Sequence, residues 1–167
     1  MSLELKRLAD KNLDAAIKLA AHYRDLNEPE QAESICRDVL AVAPENVEAL
    51  RTLGLALTDR FPSAWMTLFD EACATFRKLP SEYERTYYVG IAWERYGLAQ
   101  VAAGRSRNAL NAFEDAMEHF EKAQELAAKD DPSPILHYNR CVRAITSNAE
   151  LSREAEASDE PKYEFGD

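Results

Sequence analysis

Apolar residues recur every three or four positions along most of the chain, the spacing of helices that each bury one face. Leu5, Leu8, Leu13, Ile17, Ala20 and Tyr23 mark a first helix over about residues 3 to 26, a break near Asn12 being the alternative. Asn27 to Pro29 closes it, and Ala32, Ile35, Cys36, Val39 and Leu40 mark a second over about 29 to 42, stopped by Pro44. A third, about 46 to 60, opens on Asn46, whose side chain suits an N-cap, and Phe61-Pro62-Ser63 turns the chain into a fourth, about 63 to 79. Ser81 and Glu84 form a capping box for a fifth, about 82 to 103. Gly104 is placed to end it as a left-handed C-cap, Ser106 to cap a sixth that runs to about Lys129, and Ser133-Pro134 to start a seventh that runs to about Ala149. The expectation is an all-α chain of about seven helices.

Turns of three to five residues force consecutive helices to lie antiparallel, so the helices pair into hairpins. From Glu150 onward the apolar pattern fades and acids dominate, seven against two bases. Residues 1 to 149 are therefore expected to form the folded helical domain with a C-terminal capping helix, and 150 to 167 a disordered acidic tail.

The small residues repeat as well. Ala16, Leu19, Ala20 and Tyr23 are followed by Ala32, Cys36 and Pro44; Leu50, Leu53, Gly54 and Leu57 restart the pattern, with Gly54 34 residues after Ala20. The second hairpin is read as closing with Trp65-x3-Phe69-x2-Ala72. Trp93, Tyr96 and Gly97 restart the pattern again, followed by Ala109, Phe113 and Ala116, and Gly97 lies 43 residues after Gly54. This pattern resembles the tetratricopeptide repeat family, whose hairpins carry W-x2-L-G-x2-Y, then A-x3-F and a proline, on a 34-residue period. About three repeats over residues 13 to 129 carry the resemblance, weakest in the second. Small residues at Ala20, Gly54 and Gly97 imply close helix crossings, and Gly90 is expected at a bend in the fifth helix.

The resemblance implies a right-handed superhelix of antiparallel hairpins, an α-solenoid whose first helices line a concave groove. Carried onto this chain, the groove is lined by Ile17, Lys18 and Arg24, by Arg51, Thr52 and Leu55, and by Tyr87, Ile91, Arg95 and Leu98, with Ala21, Thr58 and Glu94 beside them. Arg24, Arg51 and Arg95 would form a basic strip with apolar anchors, the residue types that dominate interfaces. Ile17 and Ala21 stand where family members that hold chaperone tails have lysine and asparagine, so that ligand is not expected.

Composition removes several alternatives. Net charge is −10, which would repel a polyphosphate, so nucleic acid is not an expected partner. The cysteines Cys36, Cys73 and Cys141 are few, scattered and each inside a helical pattern, which suits reduced thiols in a cytoplasmic compartment. Neither a secretory signal nor a membrane span is read from the apolar runs. Asp115 and His119 lie one turn apart but lack a second ligand pair, so no metal is assigned; no phosphate loop or nucleophile elbow is present, and no cofactor is implied. The expected role is that of a non-enzymatic scaffold or adaptor for a protein partner, acidic or amphipathic. The alternative is a repeat protein that assembles with itself, as a homodimer for example.

Overall fold

The computed structural model describes residues 3–159, and among these there are eight α-helices and no strand. They are α1 (Leu13–Asp25), α2 (Pro29–Val42), α3 (Val47–Asp59), α4 (Phe61–Phe76), α5 (Glu82–Ala102), α6 (Ser106–Leu126), α7 (Ser133–Thr146) and α8 (Ala149–Asp159). Each packs on its successor, and α1, α3, α5 and α7 also touch in that order, so the hairpins stack side by side as in a helical-repeat solenoid. None of the described helices is long and apolar enough to cross a membrane.

Local signals explain most boundaries. The Asn46 side chain accepts from the Ala49 N–H at 2.9 Å, and Ser81 accepts from the Glu84 N–H at 3.3 Å. Pro29 occupies the first turn of α2, and Gly104 takes φ +69° after α5, a conformation that costs glycine nothing. Three expected caps differ, the first being Ser133, which is the first residue of α7 and makes no side-chain capping bond. Ser106 is the first residue of α6 and donates instead to Glu150 of α8; the Glu84 carboxylate accepts from Arg51. The first helix begins at Leu13, after a single 3-10 turn, and Leu5 is 94% exposed. A helical turn with nothing to pack against is marginal in water.

The chain has two main cores that meet at α5. Ala20, Ala32, Leu53, Leu57, Ala72, Phe76, Val89 and Ala99 belong to the first; Ile91, Leu110, Phe113, Phe120, Cys141, Ile145 and Leu151 belong to the second. This shared position explains why α5 is apolar on more than one face.

Close crossings fall at the glycines. A Cβ added at Gly54 would stand 2.2 Å from Phe76 Cε1, one at Gly97 2.9 Å from Phe113 and one at Gly90 2.8 Å from Phe120. Gly90 therefore serves packing of α5 on α6, and α5 continues as one helix through it. The Phe76 position also corrects the reading of the second hairpin. The buried pair there is Ala72 and Phe76, matching Ala32 with Cys36 and Ala109 with Phe113, all fully buried; Trp65 and Phe69 lie one step outside. Ala72 follows Gly54 by 18 residues, whereas Ala32 and Ala109 follow their small residues by 12. Six extra residues thus enter at the α3–α4 corner, where Ala64 departs from helical geometry (φ −145°, ψ 24°).

Past the boundary expected at Glu150, the described chain is helical to Asp159. The Asn148 side chain accepts from the Glu150 and Leu151 N–H groups, and Leu151 is fully buried. The rest of the expected tail, 160–167, lies outside the described residues.

One buried group sits badly. Gln100 is fully buried in α5, and neither its Oε1 nor its Nε2 has a hydrogen-bond partner among the described residues. Burying an amide without a partner costs about 1–3 kcal/mol. Gln100→Met, close in shape and free of that penalty, is expected to raise stability by about 1 kcal/mol in denaturant unfolding; a loss of stability would show that the amide is bonded in solution.

Candidate functional site

The expected groove residues come to different fates. Ile17 is buried with Val39 and Ala49, Thr52 is buried, and Ile91 belongs to the second core, with Leu55 and Tyr87 half-buried against it. Lys18 and Leu98 are exposed. Arg24, Arg51 and Arg95 are half-buried, and each is held by an acid from a neighbouring first helix.

These ion pairs form a ladder across the first helices. Arg24 Nε of α1 donates to Asp59 Oδ2 of α3 at 2.7 Å, and Arg95 of α5 donates to the other oxygen of the same carboxylate. Arg95 also donates to Thr58 Oγ1 at 2.6 Å and to the Leu55 carbonyl at 3.3 Å. Arg51 Nη2 of α3 donates to Glu84 Oε1 of α5 at 2.6 Å. On α5, Glu94, 1% exposed, meets His137 Nδ1 at 2.7 Å and Arg140 Nη1 at 3.2 Å, both from α7.

The arginines are not equally satisfied. Burial works against the Arg51 charge, but the hydrogen bond and charge of Glu84 outweigh it and hold the guanidinium above its usual value. Burial pulls Arg95 below its usual value; Asp59 opposes this and Arg24 adds to it. Glu94 also favours the Arg95 charge, and with Arg140 paired to it three guanidiniums face two carboxylates, Asp59 and Glu94, so positive charge is in excess.

Arg95 faces an open cleft of about 320 Å³ between α3, α5 and α7, lined also by Thr58, Asp59, Pro62, Leu98, Ala99, Ala102 and Arg140. Pro62 comes from the six-residue insertion, which therefore builds one wall. Of the expected residues, Arg95, Leu98 and Thr58 line this cleft; Asp59, Pro62, Ala99, Ala102 and Arg140 were missed. Asp59 had one sequence signal, its place one turn after Leu55 on the groove face of the third helix.

The aromatic residues of α5 are committed to packing. Tyr83 stacks on Tyr87 and donates to Asp131; Tyr87 meets Phe120 and His137; Tyr88 stacks on Phe76. The His119 ring nitrogen bonds to the Asp115 carbonyl, and no group of three His, Cys, Asp or Glu that could hold a metal ion occurs among the described residues.

The cysteines are buried, and burial pushes the thiol of Cys36 up to about 12, of Cys73 to about 11 and of Cys141 to about 12. Since the thiolate is the nucleophile, all three are expected to be inert to a disulfide reagent at pH 8 in the folded protein and to react together on unfolding. One thiol reacting rapidly under native conditions would contradict this.

No family model matches the chain, and no curated protein sequence matches it. Among solved structures it is similar to one titled "Crystal structure of MamA protein", with 16% identity over 95% of this chain and 98% of that one and a TM-score of 0.41. That overlap is too loose to carry function across.

Proposed function

We propose that this chain is a non-enzymatic interaction module of tetratricopeptide type that takes an acidic, partly apolar protein segment in the cleft between α3, α5 and α7. The observation that carries the reading is the sharing of Asp59 by Arg24 and Arg95 beside that cleft. A ligand carboxylate would complete the charge balance that the fold leaves unfinished. Leu98, 36% exposed, and Ala102 offer the apolar surface, and Arg140, 57% exposed, supplies a second cation at the rim. In a protein of net charge −10, such a local reversal of sign selects partners and their orientation more than it adds raw affinity.

Selection from a displayed random-peptide library tests this directly. Enrichment of peptides with glutamate or aspartate next to an apolar residue is expected, with binding that weakens as salt rises. Leu98→Asp combined with Arg140→Glu should weaken those peptides at least tenfold, with the folded state checked by circular dichroism. Selected peptides without acids, or equal binding to the doubly substituted protein, would refute the proposal.

A further inference from the structure

The last helix is attached unlike the others. Leu151 of α8 is fully buried and belongs to one cluster with Leu110 and Phe113 of α6 and Cys141 and Ile145 of α7. Around it the interactions are polar. Ser106 Oγ donates to Glu150 Oε2 at 2.7 Å, and Arg107 Nη1 donates to Glu154 Oε2 at 3.0 Å, both pairs exposed. The two acids therefore lie at the positive N-terminal end of α6, beside a basic residue.

Two residues, Ser147 and Asn148, separate α7 from α8. Ser147 is already helical (φ −84°, ψ −8°), and its N–H donates to the Arg143 carbonyl four residues back, as in a continuing helix. Asn148 ends that pattern. Its N–H bonds three residues back, to Ile145, and its side-chain oxygen caps two N–H groups in the first turn of α8, Glu150 at 3.0 Å and Leu151 at 3.2 Å. Ser152 Oγ then ties the corner to the Ile145 carbonyl at 3.1 Å. On either side lie strong helix formers: Ala149, Glu150, Leu151, Arg153, Glu154, Ala155 and Glu156.

We propose that the corner between α6 and α7 is a docking site for an acid–leucine helix, filled within one copy by α8 and equally able to take α8 of a second copy. If Asn148 adopts helical geometry, α7 and α8 become one helix from Ser133 to Asp159, about 40 Å long at 1.5 Å per residue. That helix cannot fold back onto its own α6. It carries Leu151 to the site formed by Leu110, Cys141 and Ile145 in the second copy, Glu150 to that copy's Ser106 and Glu154 to its Arg107. The same leucine burial and the same two acid pairings thus form between two chains instead of within one, which makes exchange of an identical element a low-cost route to a dimer.

The test is the mass of the full chain by light scattering over a wide range of concentration, for the natural sequence and for Asn148→Ala. Alanine removes the cap that holds the corner and favours the continuous helix. The variant is expected to dimerise at a concentration at least tenfold below that of the natural chain. Because both states use these contacts, they are removed in the Asn148→Ala background, where the competing monomer has α8 undocked: Leu151→Glu should restore the monomer there, and Arg107→Glu, a surface change that leaves the core intact, should weaken the dimer in the same direction. An Asn148→Ala protein with the same mass as the natural chain at every concentration would overturn the proposal, as would a dimer that persists with both Leu151→Glu and Arg107→Glu.

Discussion

Gly54→Ala is expected to destabilise the protein by about 3 kcal/mol, against the usual direction for glycine within a helix. Elsewhere in a helix this change would gain about 1 kcal/mol through backbone entropy. Here the new methyl would meet the ring of Phe76 at 2.2 Å, and that ring is fully buried against neighbours that leave it little room to retreat. Overpacking of a tight core costs about 1–3 kcal/mol and occasionally more, and an approach this short belongs at the upper end. In a chain of this size the loss should lower the melting temperature by about 6–12 °C. Phe76→Leu isolates the cause. Alone it should destabilise by leaving a cavity, yet in the Gly54→Ala background it should recover part of the loss, because the two positions touch and their effects do not add. Additive effects, or a Gly54→Ala protein as stable as the natural one, would mean that α3 and α4 do not cross here as described.

That crossing also shows what periodicity can and cannot settle. Hydrophobic spacing located the helices because each buries one face, and all seven expected helices appear; six have small shifts at their ends, while the first begins at Leu13, ten residues later than expected. It could not choose between Trp65 with Phe69 and Ala72 with Phe76, since both are four apart and would lie on neighbouring stripes of one helix. The choice belongs to size, because a residue beside the crossing must be small, and Ala72 meets that condition where Trp65 does not. Helix α8 escaped notice for the opposite reason. It has one large apolar residue, Leu151, so it shows almost no period; its only signals were Asn148 ahead of a run of helix formers. The groove was legible as a face and illegible as a site. Placing Arg24, Arg51 and Arg95 on the first helices required only the repeat. Their pairing with Asp59 and Glu84 depends on how far each hairpin turns against the next, and no spacing within a single helix records that angle.

Asp59→Asn should have two effects of opposite sign, and their combination tests the ladder and the cleft together. Asp59, with its side chain 21% exposed, neutralises both Arg24 and Arg95, themselves 24% and 27% exposed. Asparagine keeps the shape and one acceptor oxygen but removes the charge, leaving two half-buried guanidiniums facing each other. Breaking a fully buried pair in this way costs about 3–5 kcal/mol, and partial exposure brings the expected loss here to about 2 kcal/mol. The same change frees Arg95, which lines the cleft, for a carboxylate supplied from outside. An acidic peptide that binds the natural protein through this cleft should therefore bind Asp59→Asn at least threefold more tightly, and saturating peptide should raise the melting temperature of the variant more than that of the natural chain. Glu84→Gln is the matched control. It releases Arg51, which does not line the cleft, so stability should fall without any gain in affinity. Loss of stability at Asp59→Asn with unchanged peptide affinity would leave the ladder as a purely structural device and remove the charge argument for the cleft.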